Sequence, residues 1–111
     1  MEEIYNKLVR DLIPKKIKEN GETPIIKVLN DNEYKTELEK KLYEECKEVI
    51  ESSGNDRIEE LGDLIEVIKS LAKLEGKTLN DVIKVSDKKR EKRGGFNDRI
   101  FLKKVLTKDV K

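Results

Sequence analysis

Histidine is absent from all 111 residues of the chain. That excludes histidine-based acid–base chemistry, histidine-containing triads and most zinc catalysis. Any proton transfer must fall to a carboxylate, lysine, tyrosine, cysteine or metal-held water. A single cysteine excludes an internal disulfide. No apolar run approaches the ~20 residues of a membrane-spanning helix, and no signal-peptide pattern is present, so the expectation is a cytoplasmic protein with no membrane partner. Charge of one sign is lacking as well. The 25 basic and 24 acidic residues leave a net charge of +1, which removes any overall bias toward nucleic acid or an anionic surface. The common phosphate-binding loops are missing too, with no GxxxxGK[ST] and no GxGxxG after a strand.

What is present is a polar but patterned chain. Charged residues make up 44% and hydrophobic residues 35%, and the apolar positions recur with a helical period. The chain therefore reads as one folded domain over 1–111 with a modest core. A thin core in a helical chain favours a homodimer or larger homo-oligomer, because subunit contacts bury what the monomer leaves exposed.

Pro14 suits the first turn of a short helix running to about Asn20, and Gly21 stops it. Residues 24–29 are short, β-branched and bounded by turn formers, which predicts a strand. Asn30 or Asp31 caps a long helix from about Asn32 to Ser52. Asp56 and Glu59 have the spacing of a capping box for a second long helix, ending near Gly76. Thr78 and Asp81 open a third, which runs to about Lys92 before Gly94-Gly95. Residues 100–102 and 105–106 predict a terminal strand that pairs with 25–29. The expected fold is mainly α, a helical bundle beside a small two-stranded β element.

Two acidic clusters stand out on that frame: Glu44, Glu45 and Glu48 on the first long helix, Glu60 and Asp63 on the second. Carboxylates three residues apart share a helix face. At ~100° per residue, Tyr34, Leu38, Leu42, Cys46 and Val49 form the apolar stripe of the first helix. Glu45 falls inside that stripe, Glu48 at its edge and Glu44 further out. Glu60 falls within the broad apolar arc Ile58, Leu61, Leu64, Ile65, Val67, Ile68, Leu71 and Leu74 of the second helix, and Asp63 lies beside it. Carboxylates on a helix are ordinarily a solvated face. A core-facing one must be paired or hold a metal. Lys41, one turn before Glu45, is the pairing alternative, but one lysine does not balance four carboxylates. Four oxygen donors without histidine or thiolate suit Mg²⁺, with Mn²⁺ as a substitute. Gly62, inside the second helix, lowers helix stability by about 1 kcal/mol relative to alanine. Close approach of a backbone or ligand, or simple tight helix packing, would offset that. Cys46 reads as a small core residue.

The densest basic run is Lys88-Lys89-Arg90-Glu91-Lys92-Arg93. A solvated helix end, favoured by the helix dipole, is the ordinary reading. On the wheel, however, Arg90 and Arg93 continue the face made by Leu79, Val82, Ile83 and Ser86, with Lys89 at its border. That would turn them toward the bundle, where guanidinium groups suit a polyphosphate. Nucleic-acid binding is disfavoured, because the run is short and almost free of interleaved aromatics.

EExxE followed by ExxD on consecutive helices resembles the signature of the all-α NTP pyrophosphatase superfamily, which includes MazG-like proteins and phosphoribosyl-ATP pyrophosphohydrolase. YNKLVRDLIP near the start and EKRGGF near the end resemble its house-cleaning, phosphoribosyl-ATP pyrophosphohydrolase-like branch. The resemblance covers nearly the whole chain. It implies Mg²⁺ ligation by Glu45, Glu48, Glu60 and Asp63, with Glu44 as an outer carboxylate or base. It implies phosphate contacts from Lys89, Arg90 and Arg93. For Lys7 and Arg10 it leaves two options open: phosphate contacts, or, for Arg10, pairing with an acidic side chain. The implied reaction is hydrolysis of a nucleoside triphosphate between the α and β phosphates, with Glu45 or Glu48 taking the proton of the attacking water. Hydrolysis of phosphoribosyl-ATP is the alternative within the same chemistry. A non-enzymatic helical interaction module is the alternative outside it.

Overall fold

A computed structural model describes residues 1–108 and is mainly α-helical, with four helices among the described residues. The chain divides into two compact units, Met1–Leu79 and the segment from Asn80 onward. The first unit carries α1 (Ile13–Glu19), α2 (Asp31–Glu51) and α3 (Gly54–Leu74). The second is built on α4 (Leu79–Arg93).

Pro14 stands in the first turn of α1, where its fixed φ suits a helix and its missing N–H costs nothing. The turn before it is closed by a bond from the Ile13 N–H to the Arg10 carbonyl at 3.0 Å. The start of α2 is set by a reciprocal capping box. Asn30 Oδ1 accepts from the Glu33 N–H at 2.9 Å, and Glu33 Oε1 accepts from the Asn30 N–H at 3.2 Å. Lys27 Nζ donates to Glu33 Oε2 at 2.6 Å and, with the Asn30 N–H, holds the Glu33 carboxyl below its ordinary pKa.

The connection between α2 and α3 is only Ser52-Ser53. Arg57, one turn into α3, reaches back across it. Its Nε donates to the Ser52 carbonyl at 2.9 Å and the Val49 carbonyl at 3.2 Å, satisfying carbonyls that the end of α2 would leave open. Gly54 opens α3 with φ +58°, a conformation most residues adopt only under strain. The two helices pack as a hairpin. Leu38 of α2, only 3% exposed, with Val67 and Ala72 of α3, forms its small buried core. The predicted stripe of α2 holds, since Tyr34, Leu42, Cys46 and Val49 are half-buried beside Leu38. In the second unit α4 buries no residue. It ends at Gly94, φ +80°, whose N–H returns to the Arg90 carbonyl at 2.7 Å.

Three expectations are corrected. First, there is no β-strand among the described residues, so the two-stranded element at 25–29 and 100–106 is not formed. Both segments are coil with nearly all their side chains exposed, Ile25 at 93% and Val28 at 89%. A β-branched composition describes fit to a pleated, half-buried surface and does not create one. Second, α3 starts two residues before Asp56, with Ser53 at its N-cap and no side-chain cap bond. The Arg57 clasp and Gly54 fix the start earlier than the Asp56/Glu59 pair would. Third, a Cβ at Gly62 would meet nothing within 4 Å, so packing inside this chain does not demand the glycine.

Candidate metal centre

The α2/α3 hairpin brings the two acidic clusters together. Glu45 follows Leu38 by seven residues on the buried stripe of α2. It is the one buried charged residue among those described, 6% exposed. Glu60 and Asp63 lie three residues apart on α3, both half-buried. Carboxylate oxygens of Glu45, Glu60 and Asp63 all lie within 4.8 Å of one another. Glu48, half-buried one turn after Glu44 and Glu45, stands within hydrogen-bond reach of both Glu45 and Glu60.

The electrostatics of this group are unbalanced. Glu45 Oε2 and Glu60 Oε2 are shielded from solvent and have no hydrogen-bond donor. Their close neighbour Glu48 is itself a carboxylate, so nothing lies between them to donate except a shared proton or a cation. Burial, then the nearby Glu48, pushes the Glu45 carboxyl up to about 7 against the opposing pull of Lys41. Contact with Glu48, then burial, raises Glu60 as well.

Lys41, Lys7 and Arg10 pair with the carboxylates of this group. Lys41 Nζ is 3.6 Å from Glu45 Oε1 and 3.4 Å from Glu44 Oε2. Lys7 Nζ is 3.6 Å from Glu44 Oε1. Arg10 Nη2 donates to Asp63 Oδ1 at 2.7 Å, so of the options left open by the sequence, pairing with an acidic side chain is the one seen. Glu44 is thus held by two lysines, while Glu45 Oε2 and Glu60 Oε2 stay without a partner.

These donors fit a hard divalent cation. Oxygens bound to one such ion at about 2.0–2.6 Å lie roughly 3–5 Å apart, the spread seen here. An all-carboxylate set with no nitrogen or sulfur suits Mg²⁺ or Mn²⁺ rather than zinc or copper.

Lys89, Arg90 and Arg93 belong to the second unit, on the last turns of α4, and all three are exposed. The Arg90 guanidinium lies over Gly95, where a Cβ would come within 3.2 Å of it. The glycine pair after α4 therefore seats this arginine as well as ending the helix.

Sequence reasoning passed over two neighbours of the cluster. Glu66 and Ser70 line a groove of about 190 Å³ together with Tyr34, Arg10, Glu45 and Asp63. The signal for them was available, since they follow Asp63 at the i+3 and i+7 spacing of one helix face. Cys46 is a free, half-buried thiol on α2.

No family profile and no solved structure matches the chain. An uncharacterized protein of Mycolicibacterium smegmatis (strain ATCC 700084 / mc(2)155) is 45% identical over 49 residues, which is 44% of this chain and 50% of that protein. The matched stretch thus spans about half of this curated relative. No helix among the described residues is long and apolar enough to cross a membrane.

Proposed function

We propose that the protein is a Mg²⁺-dependent nucleoside triphosphate pyrophosphohydrolase that removes non-canonical nucleotides, releasing a nucleoside monophosphate and pyrophosphate. One observation carries the reading: buried, donorless oxygens of Glu45 and Glu60 converge with Asp63 from two helices. An isolated buried carboxylate is destabilising, and a cation-binding role gives this arrangement its reason. The resemblance of EExxE, ExxD and the flanking motifs to the all-α NTP pyrophosphatases supplies the reaction class.

In this reading Glu45, Glu48, Glu60 and Asp63 hold Mg²⁺, which supplies charge neutralisation for the triphosphate. The chain's own residues do the rest. Water attacks the α-phosphorus, the bond to the α–β bridging oxygen breaks, and Glu45 or Glu48 accepts the proton lost by the water. Lys7 and Arg10 line the rim of the acidic cluster as candidate contacts for phosphate oxygens. For Lys89, Arg90 and Arg93 the phosphate role rests on the motif resemblance alone. Arginine forks suit such oxygens. The functional form is a homodimer or larger homo-oligomer of the cytoplasm.

The test is pyrophosphate release from a panel of canonical and modified nucleoside triphosphates with Mg²⁺, Mn²⁺ or EDTA. Metal-dependent release, abolished in Glu48→Gln and Asp63→Asn while both variants stay folded, is the expected result. Unchanged turnover in either variant sinks the assignment of the site. If nothing in the panel is cleaved, phosphoribosyl-ATP becomes the next substrate to try. Should metal also leave the melting temperature unmoved, a non-enzymatic helical module replaces the enzyme.

A further inference from the structure

We propose that Arg10 is an exchangeable counter-ion of the acidic cluster. In the metal-free protein its guanidinium holds Asp63, and a divalent cation arriving among Glu45, Glu60 and Asp63 displaces it. The inference rests on the metal-site reading above and adds a device that controls access to that site.

Residues 1–12 form no helix or strand. Two ion pairs bind this segment to the hairpin, Lys7 to Glu44 and Arg10 to Asp63. The second joins positions 53 residues apart. Leu8, Val9 and Arg10 thereby form one wall of the groove that also holds Glu45 and Asp63. This strap lines the groove beside the cluster, and its arginine occupies Oδ1 of one of the candidate ligands.

The pair is suited to exchange and not to permanent structure. Both side chains are about half exposed, 56% for Arg10 and 46% for Asp63. Exposed pairs of this kind are weak. A doubly charged ion among the three carboxylates attracts Asp63 more strongly than a guanidinium does and repels Arg10 from the same spot. By contrast, Lys7 pairs with Glu44, which is not one of the three converging carboxylates and need not let go. The freed Arg10 is left at the rim of the groove, where a planar fork of donors meets an incoming phosphate.

The experiment is titration calorimetry with Mg²⁺ and Mn²⁺ alone on the full chain, comparing wild type, Arg10→Gln and Lys7→Gln at fixed ionic strength. Amide hydrogen exchange across residues 7–13, with and without Mg²⁺, accompanies it. Arg10→Gln should bind the cation about fivefold more tightly than wild type, the equivalent of losing a competing pair worth about 1 kcal/mol. Lys7→Gln removes the same charge from the same strap and should change affinity less than twofold. In wild type, Mg²⁺ should speed exchange at residues 8–12. Equal or weaker binding by Arg10→Gln would make Arg10 a bystander or a positioning residue for Asp63 and overturn the exchange. Slower exchange of the strap on metal addition would overturn it as well. Absence of cation binding in wild type and both variants removes the metal site itself, a failure of the functional reading and not of the exchange alone.

Discussion

Glu45 concentrates the argument at the scale of single residues. Its carboxyl is buried, Lys41 meets only one oxygen at 3.6 Å, and the other oxygen has no donor. Its pKa is raised to about 7, so between the unfolded value near 4.5 and that figure the folded chain binds a proton that the unfolded chain has released. Stability then falls as pH rises through this window. Glu60, raised for related reasons, adds a contribution of the same sign. In EDTA, the melting temperature should therefore be higher at pH 5 than at pH 8. Glu45→Gln replaces the charge with a neutral amide that donates to Glu48. It should flatten this slope and stabilise the metal-free protein at pH 8 by about 1–3 kcal/mol, the usual cost of a buried unsatisfied group. The same variant should lose the rise in melting temperature that Mg²⁺ gives wild type. Thermal denaturation followed by circular dichroism at the two pH values reads both effects. A steeper fall toward pH 8 in the variant would show that Glu45 is compensated by a partner other than a proton or a cation.

At the scale of elements, the strength of each local device decides where helices start and what they tolerate. The reciprocal bonds between Asn30 and Glu33 hold the N-terminus of α2, so Asn30→Ala should lower stability by about 1 kcal/mol. Denaturant unfolding should show this as a lower midpoint with an unchanged slope. Gly62 lies mid-helix in α3 with open space where a Cβ would go. Gly62→Ala should then raise stability by about 0.5–1 kcal/mol. A loss of stability instead would place a partner copy or a ligand against that spot. These cases also show what a sequence makes legible. The cap of α2 could be narrowed to Asn30 or Asp31 because both residue types favour that position, and the bonds with Glu33 select Asn30. The placement of Glu45, Glu48, Glu60 and Asp63 on inward faces could be read because helical periodicity is a local rule and the 52–53 turn forces the two helices together. The true start of α3 could not, since it depends on Arg57 reaching carbonyls of the preceding helix. Nor could the choice of Asp63 as partner for Arg10, which is made by packing between residues 53 positions apart. The two strands were misread because apolar β-branched residues mark a need for cover, and the chain does not supply that cover among its described residues.

At the scale of the whole molecule, that unmet need is general. Among the described residues the buried apolar ones are Leu38, Val67 and Ala72, a small core to set against the conformational entropy of ordering the chain. On α3, Ile58, Leu61 and Ile65 recur at i, i+3 and i+7 and remain exposed, Ile58 by 67%. That spacing gathers them on one helix face. On α2, Tyr43 and Ile50, also seven residues apart, are exposed in the same way. A helix hairpin carrying apolar rows on its outer surface gains most by packing against a second copy, because one patch then covers its own equivalent. Sedimentation equilibrium at micromolar concentration should accordingly give twice the chain mass, and the melting temperature should rise with protein concentration. The double variant Ile58→Asp/Ile65→Asp places charge on that face. It should sediment as a monomer, and its melting temperature should no longer depend on concentration. If wild type is itself monomeric, or if the double variant stays dimeric, this face of α3 is not the subunit contact.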